Sequence, residues 1–115
     1  KKRRSLELRI KEKDIQKLKS NWGANAFAME SFCEVMVYDP LSSFQAFLVA
    51  VNPQDDDLAV CIVQEHRLLP PMLIECSIQD LMGAYNEHGE NVQIDEEFRP
   101  RKAVEIFKQL GGTWI

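Results

Sequence analysis

The sequence predicts an α+β domain: an antiparallel meander of three to four strands, with an N-terminal helix and two C-terminal helices packed on the sheet. Three observations carry this. Apolar residues recur at helix spacing towards both ends of the chain, nearly continuous apolar runs of strand length fill its middle, and the links between those runs are short and polar. Short links join antiparallel neighbours, because a parallel pair needs a crossover of about a dozen residues. A length of 115 residues suits one domain with one core, and 45% hydrophobic with 28% charged residues is ordinary globular composition. We divide the chain into a basic N-terminal arm, residues 1–11, and a single α+β domain, residues 12–115.

Residues 12–22 place Ile15, Leu18 and Trp22 on one helix face, and Gly23 follows as a stop signal. Upstream, Leu6, Leu8 and Ile10 alternate with charged residues at strand period. Leu, Glu, Arg and Lys are nevertheless good helix formers, so we read helix back to about Ser5. Residues 24–30 have no clear period and read as a connector or a short turn of helix. Residues 32–38 are rich in β-formers and end at Asp39-Pro40, a turn initiator. Residues 44–51 are apolar at seven of eight positions, too continuous for a strand with a wet face, so this strand is expected to be central. Residues 52–57 have turn composition, and residues 58–63 are again nearly all apolar.

Pro70-Pro71 then breaks the regularity, and residues 72–76 read as a short fourth strand, at an edge because it follows the prolines. Ser77 and Asp80 have the N-cap and N3 spacing of a capping box. Ile78, Leu81, Met82 and Tyr85 continue at helix spacing towards a stop at Gly89. Residues 87–97 read as an acidic loop interrupted by Val92 and Ile94. Pro100 suits the first turn of the last helix, whose inner face is Ala103, Val104, Ile106, Phe107 and Leu110, with Gly111-Gly112 ending it. Residues 113–115 read as an edge strand or a hydrophobic tail.

No apolar run approaches the roughly 20 residues that span a bilayer, and the basic start is not followed by the apolar stretch of a secretory signal. Beginning with Lys rather than Met, the chain is expected to be a processed or excised form. Cys33, Cys61 and Cys76 each sit inside an apolar run, which reads as small buried hydrophobes in an intracellular reducing compartment. Structural zinc takes ligands in close pairs, and Cys33, Cys61, His66, Cys76 and His88 include none. Neither histidine accompanies a nucleophile elbow, although a Cys–His arrangement through space, Cys61 or Cys76 with His66, stays open. The five glycines form no phosphate-cradling turn. We therefore expect no catalytic residue, no cofactor and no metal; the chain reads as a non-enzyme.

Charge is divided by position. The first twenty residues hold nine Lys/Arg against three acids, while the rest of the chain is acidic enough to bring the net charge to −4. Lys1, Lys2, Arg3 and Arg4 form a dense cationic start, and Arg9, Lys13 and Lys17 recur every fourth residue, one stripe on a continuous helix. These seven are the candidate anion or nucleic-acid contact, with affinity set by counterion release. Against them, no aromatic interleaves the stripe to stack bases, and the acidic body repels nucleic acid within a Debye length of about 8 Å. Asp55, Asp56, Asp57, Glu96 and Glu97 are the candidate acids for docking a partner. The Asp triplet lacks the spacing of a calcium loop, and its plainer role is to keep a turn soluble. With ten aromatics, four Met and strands apolar on both faces, a sheet covered by helices on one side only would need another chain on the other.

In order of elements (helix, three or four antiparallel strands, a Pro-Pro break, two helices) the chain resembles the RWD and ubiquitin-conjugating-enzyme type of fold. It lacks that class's Tyr-Pro-rich loop and shows no catalytic-cysteine motif. It resembles the small acidic secretion chaperones equally, and fold likeness gives no function in either case. The expected function is a non-enzymatic protein-protein interaction domain: an adaptor, assembly factor or subunit that uses a sheet face and acidic loops. A protein partner or a second copy is the expected ligand. The alternative is a nucleic-acid-binding protein that uses the N-terminal arm and first helix.

Overall fold

The structure, a computed structural model, describes residues 10–23 and 30–112. In chain order these form helix α1 (Glu12–Ser20), strands β1 (Phe32–Cys33), β2 (Val35–Tyr38), β3 (Gln45–Asn52), β4 (Asp55–Gln64) and β5 (Met72–Ser77), and helix α2 (Ile78–Gly83). Strands β6 (Gln93–Ile94) and β7 (Arg101–Lys102) and helix α3 (Ala103–Gln109) complete it. Five strands make one antiparallel sheet in the order β5-β4-β3-β2-β6, while β1 pairs with β7 in a separate two-stranded ladder. The α+β class and the antiparallel meander are those expected. Among the described residues the strand count is seven rather than three or four.

The apolar runs become the two central strands, β3 and β4, whose residues 46–51 and 59–64 are all buried. Helices cover both faces of the sheet. On one, Ile15 and Leu18 of α1 with Ile78 and Met82 of α2 pack on Val35, Val37, Leu48, Cys61 and Val63. On the other, Ala103, Ile106 and Phe107 of α3 pack on Phe47, Val49, Val60 and Ile62. Among the described residues helices pack on both faces, so the condition under which another chain would have to cover one, helices on one side only, is not met. Truncating a fully buried side chain such as Leu48 or Ile62 to Ala is expected to cost about 2–5 kcal/mol, a large share of a domain's stability.

One local device lets β3 serve both faces. Leu48 pairs with Cys61 and Ala50 with Val60, so Val49 is an extra residue bulged out of the ladder. Val49 and Ala50 consequently both point at α3, and Val51 returns to the α1 side. Asn21, the residue after α1, donates its amide to the Val49 carbonyl at 2.9 Å and to the Phe32 carbonyl at 3.1 Å. The end of α1 thus supplies a partner at the bulge.

Several boundaries differ from the sequence reading, each for a reason of pairing. Residues 32–38 form two strands, because Phe32 and Cys33 pair with Lys102 and Arg101 while residues 35–38 join β3. The same pairing holds residues 101–102 extended, so α3 starts at Ala103 and Pro100 lies before β7. The turn at 52–57 shrinks to Pro53-Gln54, since Asn52 pairs with Asp55 and β4 begins there. Helix α2 stops at Gly83: Ala84 is extended, and Tyr85, 73% exposed, bridges Asn91. The supposed loop 87–97 contains β6, which pairs with Val37 and Tyr38 through two residues only. Trp22 lies beyond α1 and packs with the α3-side core. Lys11, with ψ 141°, is extended, so the helix does not reach back through it. Residues 1–9, 24–29 and 113–115 are outside the described residues, and so are the readings made on them.

Candidate interaction surface

The described part of the basic segment folds back on the chain's own acids. Lys1, Lys2, Arg3, Arg4 and Arg9 lie outside the described residues, and the extended Lys11 breaks the stripe before Lys13. Lys13 and Lys17 line a groove of about 250 Å³ that also holds Glu34, Asp95 and Glu96. Lys17 Nζ lies 3.8 Å from Glu34, and Lys19 Nζ lies 2.8 Å from Asp56. Exposed ion pairs of this kind contribute about 0–1 kcal/mol, so the burial of Ile15 and Leu18 holds α1 in place. The acids nevertheless offset charge that a phosphate backbone would otherwise meet.

The three adjacent aspartates do three separate jobs. Asp55 accepts the Asp57 N–H at 3.0 Å, and Asp56 takes Lys19. Asp57 reaches the start of α2: it accepts the Ser77 hydroxyl at 2.6 Å and the Gln79 N–H at 2.8 Å. Ser77 in turn accepts the Asp80 N–H at 3.2 Å, the N-cap bond its spacing predicts. Glu96 lines the α1 groove, and Glu97 is exposed with its N–H donated to Asp95 at 3.0 Å. These acids converge on no single point.

The thiols and imidazoles are arranged differently from any Cys–His pair. His66 Nδ1 accepts the Leu68 N–H at 3.1 Å within its own turn, and the His88 N–H is donated to Asn86 at 2.9 Å. Burial pushes the Cys33 thiol up to about 12, against the lowering influence of Arg101. Cys61 and Cys76 meet, with sulfurs 2.8 Å apart. Among the described residues no group of three or more His, Cys, Asp or Glu is placed to hold a metal ion.

What remains open is the outer edge of β5. It ends the sheet order, and no described strand pairs with its far side. Met72 (47% exposed) and Ile74 lie opposite Val63 and Cys61, at the margin of the face that α1 and α2 cover. Leu68 (80% exposed) and Leu69 lead into the strand, and Pro70-Pro71 cannot donate to a ladder. Sequence reasoning placed the edge strand but not this apolar margin. The available signal was the segment Leu-Leu-Pro-Pro-Met, whose apolar residues sit where prolines prevent pairing inside the sheet.

Comparison with protein-family models, with curated proteins and with solved structures finds no match to this chain. No helix among the described residues is long and apolar enough to cross a membrane.

Proposed function

We propose that this chain is a non-enzymatic protein-protein interaction domain, working as an adaptor, assembly factor or subunit, that receives an extended partner segment along the outer edge of β5. The observation that carries this reading is the exposed apolar margin of a terminal strand: Leu68, Leu69, Met72 and Ile74 beside a six-residue edge. An added strand gains affinity from main-chain hydrogen bonds and specificity from pockets for alternate side chains. An open apolar edge is otherwise a liability that natural sheets blunt. Here the blunting is partial: the prolines limit pairing to residues 72–77, and Glu75 is the one charged side chain in the strand.

The magnitudes bound the contact. Met72 and Ile74 are already partly buried, so covering the remainder is worth about 1 kcal/mol each. A stable complex therefore has to engage Leu68 and Leu69 as well. With both sheet faces covered by helices, the contact moves from the sheet face to the sheet edge.

The test uses a photo-crosslinking residue at Met72 or Leu68, with one at the exposed Glu105 of α3 as control, in the full chain added to its native extract. The expected result is a discrete crosslinked protein from either β5 position, lost when the other is changed to Lys (Leu68→Lys with the probe at Met72, Met72→Lys with the probe at Leu68) while the circular dichroism spectrum is unchanged. Equal crosslinking from Glu105, or none from β5, would sink the reading.

A further inference from the structure

Cys61 and Cys76 take no part in the interaction reading, and the inference from them does not rest on it. They sit diagonally across the β4–β5 ladder: Cys61 is opposite Ile74, and Cys76 is opposite Ala59. Both contribute to the core on the α1 and α2 side. Their sulfurs are 2.8 Å apart, under about 1 Å from the bonded S–S distance of about 2.05 Å. Their exposure differs. Cys61 is wholly buried, while Cys76 is half-buried on the edge strand.

The contact also divides their acidity. The bond to Cys76, then burial, pushes the Cys61 thiol up. The same bond pushes Cys76 down, against burial and the nearby carboxylates of Asp57 and Asp80. The half-buried Cys76 is thus the more acidic of the two thiols, and the wholly buried Cys61 sulfur stands behind it. That is how an attacking and a resolving cysteine are placed.

From this geometry we infer that Cys61 and Cys76 are a peroxide-oxidisable dithiol that closes to an intramolecular disulfide between β4 and β5. The Cys76 thiolate attacks one oxygen of hydrogen peroxide: an S–O bond forms and the O–O bond breaks. The departing hydroxide takes up a proton and leaves as water, and Cys76 becomes a sulfenic acid. The Cys61 sulfur then attacks the Cys76 sulfur. The S–S bond forms, the S–O bond breaks, and hydroxide leaves as a second water with the proton of Cys61. Two electrons pass from the thiols to the peroxide. Cys33 is excluded, being wholly buried in the α3-side core with its thiol pushed up to about 12.

The decisive experiment treats the reduced 115-residue chain with hydrogen peroxide, alkylates the remaining thiols and cleaves after acidic residues. Glu34 separates Cys33 from Cys61, and Glu65 and Glu75 separate Cys61 from Cys76. The expected product is a linked Cys61–Cys76 peptide pair with Cys33 alkylated. In Cys61→Ser the reaction stops at a Cys76 sulfenic acid, trapped by dimedone about tenfold more than in the parent chain. Linkage to Cys33 or to a second chain, over-oxidation of unlinked Cys76, or inertness to peroxide would each overturn the inference. Mapping of the parent chain decides the matter even where Cys61→Ser fails to fold.

Discussion

Gln64→Leu tests whether the fold depends on one buried polar side chain. Gln64 ends β4 at 3% exposure, and its amide joins three parts of the chain. The Nε2 group donates to the Leu69 carbonyl at 3.0 Å and to the Leu110 carbonyl at 3.2 Å, while Oε1 accepts from Gln45 at 3.0 Å. Leu has nearly the same size but makes none of these bonds. Three hydrogen bonds at about 1 kcal/mol each give a loss of about 3 kcal/mol. Extra apolar burial returns about 1 kcal/mol, leaving a net loss of about 2 kcal/mol. Urea denaturation should show the midpoint falling with its slope unchanged, and the melting temperature should drop by about 5–10 °C. A double-mutant cycle with Gln45→Ala should recover about 1 kcal/mol of coupling, the Gln45 share alone. A Gln64→Leu chain as stable as the parent would refute the reasoning, because the bonds to Leu69 and Leu110 would then hold nothing together.

Gly112→Ala should destabilise by about 1–3 kcal/mol in the same assay, since a Cβ there would overlap the Phe107 ring and sit 2.9 Å from Pro71 Cγ. Asp57→Ala removes the acceptor for Ser77 and Gln79 at the start of α2 and should cost about 1–2 kcal/mol, measured by denaturant midpoint. The Leu41 N–H and then the Asn86 amide, with Ser42, hold the Asp39 carboxyl below its usual range. A lowered folded value contributes stability that is present above the ordinary carboxylate range and lost as pH falls through the folded value. Asp39→Asn should therefore flatten the acid limb of a stability-against-pH curve, and an unchanged limb would show the contacts to be inconsequential.

The long apolar runs were legible because β3 and β4 are buried on both faces, and burial of that kind writes itself into composition. The Ser77 cap was legible because a single spacing carries it. The misses are all short or non-local. Strands β1, β6 and β7 have two residues each, too few for any period, and exist only because a distant segment pairs with them. Helix α2 reads longer than it is because Tyr85 continues the spacing, while the Tyr85–Asn91 bridge takes the chain away. Among site residues, the Asp triplet looked like one feature and is three, since the register with β3 breaks between Asp55 and Ala59 and each carboxylate meets a different partner. The Cys61–Cys76 contact joins positions 15 apart and follows from the β4–β5 register, which no spacing rule on one strand encodes.

Strand β5 carries both proposals on different atoms, and this makes them separable. A partner strand would take the outward backbone groups, whereas Cys76 turns its side chain into the core shared with Cys61. Closing the disulfide ties β5 to the central strand and leaves its outer edge unchanged. A cross-link closing a loop of this size adds about 3 kcal/mol in the chain-entropy account, so the oxidised chain should unfold at higher urea than the reduced one. Crosslinking from Met72 should persist after oxidation, because an edge held against β4 is better ordered for an incoming strand. Loss of the partner on oxidation would mean that β5 must move to bind, and that the edge seen here is the closed state of the site. In Leu68→Lys, Met72→Lys the disulfide should still form at the parent rate, since neither residue is opposite a thiol in the ladder.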